Sequence, residues 1–470
     1  MRLNRTLGLL LGASMCAFAQ FPDFTPPTPL FGAVIRGDAN GVKRLLEQGA
    51  NPNDGRFIGG GPPIFLALMQ SNHAMVEAMI AKGADVKATD DMGSTTLMWA
   101  AYDETGNPEL VEKLIRMGVD PNARNQKGET AMEWALRRGE TPIVAALRKA
   151  GASDASLIRQ SVEKAIALLQ KSGPQFVKVS GCASCHNQNL PQMATAAARA
   201  RGYAVDEAGA SYSVKSVMAT FKPVTADMAA GKPNIPDPAI SVSYALVGLA
   251  AEKYVPDATT AAMAHLVSLM QMPDGSFTAF TARPPIESSV FTATALSIRS
   301  LQVYGADSAE RVKRARAWLE TAQPVSGEDR AMQLLGLTWA GAYSQTLRTV
   351  ADSLIAQQRP DGGWAQSPAL ETDAYATGQA MVALKLSGQA RGFDPAWQRG
   401  MNYLLRTQLD DGSWLVRSRS FPVQPYKESG FPHGKNQWIS AAGTSWAAWA
   451  LSLHEAPAAP SSPMHSAALR

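Results

Sequence analysis

The sequence is poor in cysteine, in charge and in long apolar runs. Three cysteines in 470 residues are too few for a disulfide-stapled scaffold, so stability must come from buried apolar surface. Charged residues make up 18%, below the usual quarter or so. The 44 basic side chains outnumber the 40 acidic ones by only four. That balance excludes a disordered polyelectrolyte and leaves no electrostatic footprint for nucleic acid. Past the N-terminus no apolar stretch reaches the roughly 20 residues of a membrane span, and mean hydropathy is −0.12. No membrane span is expected in the mature chain. What is present is a 46% hydrophobic composition, ordinary for globular protein, and a length that suggests about three domains.

The first 19 residues read MRLNRTLGLLLGASMCAFA. Basic Arg2 and Arg5 precede an apolar core from Leu7 to Ala17, and Ala17-Phe18-Ala19 forms a small-x-small cleavage site. This pattern predicts a secretory signal peptide over 1–19, cleaved after Ala19, and a periplasmic or secreted location. Met15 is too large for the residue before a lipidated cysteine, so cleavage removes Cys16 and leaves two cysteines.

A repeat follows. Thr28-Pro29-Leu30 returns as Pro62-Pro63-Ile64, Thr95-Thr96-Leu97 and Thr130-Ala131-Met132, at intervals of 34, 33 and 35 residues. A second marker, Gly49-Ala50, Gly83-Ala84, Gly118-Val119 and Gly151-Ala152, keeps step with it. Helical patterns such as Val42-Lys43-Arg44-Leu45-Leu46 lie between the markers. Two short helices and a turn per 33-odd residues resembles the ankyrin repeat, over about four copies spanning 26–153. The resemblance implies a solenoid that docks a protein partner. The second copy departs from the pattern in having no threonine at its marker.

Beyond residue 158 a different unit recurs. Gln271-Met272-Pro273-Asp274-Gly275-Ser276-Phe277 returns as Gln358-Arg359-Pro360-Asp361-Gly362-Gly363-Trp364 and as Gln408-Leu409-Asp410-Asp411-Gly412-Ser413-Trp414. An amphipathic helix precedes each turn and a helix rich in small residues follows it. Weaker copies pass through Gln170 and Gln323. The Asp-Gly turn reverses the chain between antiparallel helices, and the aromatic is expected to pack near the glutamine and tie one repeat to its neighbour. Eight of the ten tryptophans fall between 318 and 449. Helix, Q-x-x-D-G-x-aromatic turn, helix resembles the α/α toroid of squalene cyclases and protein prenyltransferases. The expected fold is therefore all-α: an ankyrin solenoid followed by a toroid of about six helical hairpins over 158–455. Phe221 to Pro238, with four prolines, is expected to be a loop, and the Pro/Ser/Ala-rich end, 456–470, a disordered tail.

Both remaining cysteines lie in Gly181-Cys182-Ala183-Ser184-Cys185-His186. This C-x-x-C-H is the attachment motif for haem c. The cysteine spacing matches the two vinyl groups at the edge of the macrocycle, and the following histidine is held beneath the iron as axial ligand. Export agrees with this chemistry. The resemblance to c-type cytochromes covers five residues, which fall where the loop of the first toroid hairpin should be. A Cys182–Cys185 disulfide and a different metal are the competing readings. No second cysteine pair exists to complete a zinc site. Met218 or Met228 is the candidate sixth iron ligand. An electron-transfer or redox module, with a redox partner, is the leading expectation. A haem enzyme or haem-based sensor with ligand in the toroid cavity, and a non-redox scaffold, are the alternatives.

Cyclases of the toroid superfamily protonate substrate with a D-x-D-D-T-A segment. The matching stretch here, Asp373-Ala374-Tyr375-Ala376-Thr377-Gly378, keeps the first of the three aspartates, with Tyr375 and Ala376 at the places of the other two. A tyrosine at the place of the central carboxyl is too weak an acid for that step, so polyprene cyclisation is disfavoured. The absence of any cysteine after Cys185 removes the zinc set of a prenyltransferase. Asp373, Tyr375 and His433 remain as candidate acid–base residues, with helix capping as the alternative role for Asp373.

Overall fold

The computed structural model describes residues 26, 28–56, 60–103, 105–139, 141–152, 155–232, 235–280, 283–389, 395–421 and 425–454. The expected signal peptide at 1–19 and tail at 456–470 lie outside them. The chain divides into two compact units, Met1–Asp154 and Ala155–Arg470. Among the described residues the named elements are all helices, and β pairing is confined to isolated bridges.

The first unit contains four helix pairs: α1 (Pro29–Ile35) and α2 (Ala39–Glu47), α3 (Pro63–Met69) and α4 (His73–Ala81), α5 (Thr96–Ala101) and α6 (Pro108–Arg116), α7 (Ala131–Leu136) and α8 (Pro142–Lys149). The threonine of each marker starts the first helix of its pair. Thr28, Thr95 and Thr130 accept the N–H groups of Phe31, Met98 and Glu133, satisfying donors that a helix start leaves open. Pro62 replaces threonine in the second pair, and α3 has no side-chain cap. The marker glycines end each second helix in the left-handed region, with φ of 93°, 87°, 87° and 82° at Gly49, Gly83, Gly118 and Gly151. Each first helix packs on the next, burying Phe31, Ile64, Leu97 and Met132. Asn53 ties the first pair to the second: its Nδ2 donates to Gly83 O at 3.1 Å and its Oδ1 accepts from Asp85 N at 2.8 Å.

The second unit begins with α9 (Ala155–Ser180), a five-residue π-helical turn (Cys185–Asn189) and α10 (Leu190–Ala200). Next come α11 (Glu207–Phe221), α12 (Thr225–Ala229), α13 (Pro238–Ala251), α14 (Ala258–Leu269) and α15 (Val290–Tyr304). The chain continues through α16 (Ala309–Thr321), α17 (Gly327–Trp339), α18 (Ser344–Ile355), α19 (Ala374–Leu386), α20 (Pro395–Thr407) and α21 (Gln437–Ser452). The small-residue helices α13, α15, α17, α19 and α21 are buried over most of their length. They pack in that order, and α21 and α13 both pack on α10, so the contacts form a closed cycle. The segment from Phe221 to Pro238 departs from the loop expected of it. Lys222–Val224 is a 3₁₀ turn and α12 follows, because Pro223 falls in the first positions of the turn, where no N–H is needed.

The Asp-Gly turns explain the cycle. Gln271 Nε2 donates to Gly275 O in its own turn and to Arg311 O, at 2.8 Å, on α16. Gln358 bonds Gly362 O and, at 2.8 Å, Ala396 O on α20. Gln408 bonds Gly412 O and, at 2.9 Å, Ser161 O on α9, 247 residues earlier in the chain. The glutamine therefore makes the hydrogen bonds between neighbouring hairpins, and the aromatic adds packing, since Trp364 lies against Gly400 of α20. The indoles turn back instead: Trp364 Nε1 donates to Leu354 O and Trp414 Nε1 to Leu404 O, each on its own preceding helix. The reason is geometric, since the glutamine carboxamide can serve two carbonyls at once while the indole has one N–H. The weaker copies differ. Gln170 exchanges bonds with the backbone of Asp206 just before α11, whereas Gln323 Nε2 donates only locally, to Thr321 O.

Gly412 has φ 88°, and a Cβ there would stand 2.9 Å from Lys164 O. Replacing Gln408 by Ala should destabilise the second unit by about 1–3 kcal/mol, because two carbonyls lose their donor. Gly412→Ala should cost at least as much, through left-handed strain and the contact with α9. Urea unfolding followed by tryptophan fluorescence checks both, with Gln323→Ala near neutral as the control.

Candidate functional site

The C-x-x-C-H segment leaves α9 at Gly181, in the left-handed region at φ 79°. Ala183 N donates to Thr220 Oγ1 of α11 at 3.0 Å. Ser184 then caps the π-helical turn, its Oγ accepting from Asn187 N at 3.1 Å. Gln188 folds back, accepting Ser184 N at 2.7 Å and donating to Gly173 O at 2.9 Å. The backbone N–H of Leu190 reaches Cys185 O, five residues back. π-helical turns of this kind are rare and tend to occur at functional sites.

Cys182 is exposed, Cys185 is buried, and both thiols are free of any disulfide. His186 is 4% exposed, with its ring edge-to-face against Phe176 at 5.5 Å and Trp438 at 5.7 Å. Burial, helped by the Arg283 guanidinium, lowers its pKa to about 3, so the imidazole is neutral across the working pH range. Burial also raises the Cys185 thiol, and Glu287 adds to that effect. Arg283 and Glu287 pair bidentately at 2.7 and 2.5 Å. Met218 and Met228 are both buried in the apolar core of this unit. Met218 shares α11 with Thr220, the residue that holds Ala183, whereas Met228 sits on α12, which packs against α14.

The three candidate acid–base residues do not form one constellation. Asp373 caps α19: its carboxylate accepts Ala376 N at 2.9 Å and Gln366 Nε2 at 2.8 Å. Burial nevertheless raises its pKa to about 6. His433 has φ 84° and pairs with Ser413 Oγ at 2.7 Å, and it shares none of those partners with Asp373. Its pKa is lowered by burial. Tyr375 points instead into the buried interior beside Trp446, 6.4 Å between ring centroids.

That interior holds a residue the sequence reading missed. Glu328, in the first turn of α17, is 3% exposed and accepts the Thr292 hydroxyl at 2.6 Å. Its second oxygen, Gln379 Nε2 and the hydroxyls of Tyr244 and Tyr375 face one another without reaching hydrogen-bond geometry. Burial raises the Glu328 pKa to about 7. Nothing local in the sequence singles it out, since Ser326 and Asp329 form the capping box at this helix start and Glu328 lies between them. Among the described residues no group of three or more His, Cys, Asp or Glu side chains is placed to hold a metal ion.

A glutamate whose pKa rises on folding binds protons more tightly in the folded state. Its contribution is therefore fully present below about pH 4.5, the ordinary value, and is lost as pH climbs through about 7. Glu328→Gln should raise the melting temperature at pH 8 by roughly a few degrees, with the gain shrinking toward pH 4.5. Scanning calorimetry of both proteins across that range provides the check.

A family model of ankyrin repeats (three copies) matches residues 30–125 and 97–167. The neurogenic locus notch homolog protein 1 of Mus musculus is 42% identical over 93 residues, covering 20% of this chain and 4% of that protein. The Xenopus tropicalis protein of the same name is 41% identical over 86 residues, covering 18% of this chain and 3% of its own length. The chain thus spans only a few per cent of these curated relatives. Residues 30–167 carry ankyrin repeats, and the rest of the described chain is a further helical region.

Proposed function

We propose that this chain is an exported c-type haem protein, an electron-transfer module whose ankyrin repeats dock a protein partner. The observation that carries the reading is the C-x-x-C-H segment, with two thiols outside any disulfide and a neutral, buried imidazole within five residues. The donor set fits the group: Cys182 and Cys185 can each add S–H across a vinyl double bond, forming a thioether with no net oxidation. His186 is unprotonated and so has a lone pair to give. Haem held in this way supplies one-electron redox chemistry at its iron. The protein residues fix the rest. Thr220, Ser184 and Gln188 hold the turn, Phe176 and Trp438 orient the imidazole, and burial keeps it neutral. Met218, on the helix that braces Ala183, is the better placed of the two candidate sixth ligands.

We read the second unit as an α/α toroid like that of squalene cyclases and protein prenyltransferases. The cyclic order of helix packing and the recurrent glutamine clamps support this reading. Within it the C-x-x-C-H turn stands between the first outer helix, α9, and the first inner helix, α10. The expected location is the periplasm or the exterior, where haem c is attached. Ankyrin repeats support a protein partner, and no helix among the described residues is long and apolar enough to cross a membrane.

Expression in a host with haem c maturation machinery tests the proposal. The purified chain should show about one covalent haem per polypeptide by pyridine haemochrome, lost in the Cys182→Ala, Cys185→Ala double variant. A low-spin, six-coordinate reduced spectrum is expected, changed to a high-spin one by Met218→Ala. Complete absence of covalent haem would overturn the reading. High-spin iron that binds carbon monoxide in the unaltered protein would favour sensing or catalysis instead.

A further inference from the structure

An extended segment follows the last Asp-Gly turn, and nothing in the redox reading uses it. From Leu415 to Phe421 burial alternates with a period of two. Val416 is 1% exposed and packs on Gly443 of α21, and Ser418 and Ser420 are partly buried. Leu415 at 47%, Arg417, Arg419 and Phe421 at 85% are exposed. This is the side-chain pattern of a β-strand with one buried face. Hydrogen bonding keeps the same step. Val416 N donates to Ser440 Oγ of α21 at 3.0 Å, and the Ser440 hydroxyl donates to Val416 O at 3.2 Å. Ser418 N donates to Asn436 Oδ1, just before α21, at 2.9 Å. The peptide N–H and C=O groups of Leu415, Arg417 and Arg419 have no partner among the described residues. The segment is thus a single strand pinned along one edge by side chains, with its other edge open.

A strand edge with free donors and acceptors at alternate residues is a template for another strand. The side chains that stand on it choose which one. Arg417 has no ion-pair or hydrogen-bond partner among the described residues. Arg419 bonds Gln366 Oε1 through its Nε at 2.9 Å, which leaves both its NH2 groups without a hydrogen-bond partner. Leu415 and Phe421 flank the two guanidinium groups in the sequence. A second copy of this segment is a poor match. Run antiparallel with Leu415 opposite Phe421, it sets Arg417 against Arg419 twice, and like charges directly opposite repel. A strand with two acidic residues at alternate positions, and an apolar residue two places beyond each, meets every group. Its carboxylates face Arg417 and Arg419, its apolar ends face Leu415 and Phe421, and its backbone takes the open edge. We propose that Leu415–Phe421 is a β-addition site for an extended acidic segment of a partner protein, of the pattern apolar-x-acidic-x-acidic-x-apolar. The segment lies outside the ankyrin unit, and its use needs nothing bound at Cys182 or Cys185.

Fluorescence anisotropy on the full chain tests it with a dye-labelled peptide, Val-Thr-Glu-Thr-Glu-Thr-Val. Two matched peptides serve as probes. One carries lysine in place of both glutamates; the other is N-methylated at both glutamate amides, which keeps the charge and removes two N–H groups from the pairing edge. The parent peptide should bind saturably, and each of the other two at least about tenfold more weakly, the effect of two lost hydrogen bonds or two reversed charge pairs. Arg417→Glu, at an exposed position, should weaken the parent peptide at least about fivefold and strengthen the lysine peptide, with circular dichroism unchanged. Hydrogen exchange over 415–421 should slow when the parent peptide is added. The proposal is overturned if the parent peptide shows no saturable binding. It is equally overturned if the N-methylated peptide binds as well, which would mean a charged patch without strand pairing. Unchanged affinity in Arg417→Glu, or unchanged exchange over 415–421 in the complex, also overturns it.

Discussion

One hydrogen bond joins the two ends of the second unit. Gln408, in the last Asp-Gly turn, donates to Ser161 O on the first helix of that unit. Gly412 in the same turn lies against the backbone of Lys164 on α9. Earlier turns make the same bond to the next hairpin, and the last turn among the described residues makes it to the first. That contact accompanies the packing of α21 on α10, and with it the surroundings of the C-x-x-C-H turn. Trp438, one of the two aromatics against His186, belongs to α21 and reaches the imidazole only because the cycle closes.

Closure also sets the electrostatics. Helices packed in a cycle bury whatever polar groups their inward faces carry, and burial disfavours the charged form of each. His186 is held neutral, and Glu328, Asp373 and Asp237 are all raised, to about 7, 6 and 6. A neutral imidazole suits a metal ligand, and the carboxyls hold their protons toward neutrality because burial outweighs the groups that favour their charged form. Arg283, the cation near His186, is engaged by Glu287, and Arg419 bears on Asp373 and bonds its partner Gln366.

Much of this was legible in the sequence for a physical reason: repeats announce themselves by period, and their markers are residues with special backbone duties. Thr28, Thr95 and Thr130, and Gly49, Gly83, Gly118 and Gly151, stood out by that period alone, and the structure gives the threonines their cap bonds and the glycines their positive φ. Gln271, Gln358 and Gln408 stood out equally, but their bonding partners did not. The pairing of Gln408 with Ser161 joins residues 247 apart, which no local pattern encodes. The same limit misdirected the acid–base reading, since a resemblance at Asp373 and Tyr375 says nothing of which side chains meet across the interior.

By itself the sequence determined the local chemistry of this protein: helix starts and stops, the turn residues, and two thiols and an imidazole within five positions. Those depend on neighbours a few residues apart, where covalent spacing fixes the geometry. Only the tertiary structure decided that His186 is neutral, that Asp373 caps α19, and that Glu328 lies buried opposite Tyr244 and Tyr375. Each of these depends on burial and on partners from distant hairpins, and both exist only once the cycle of helices has closed.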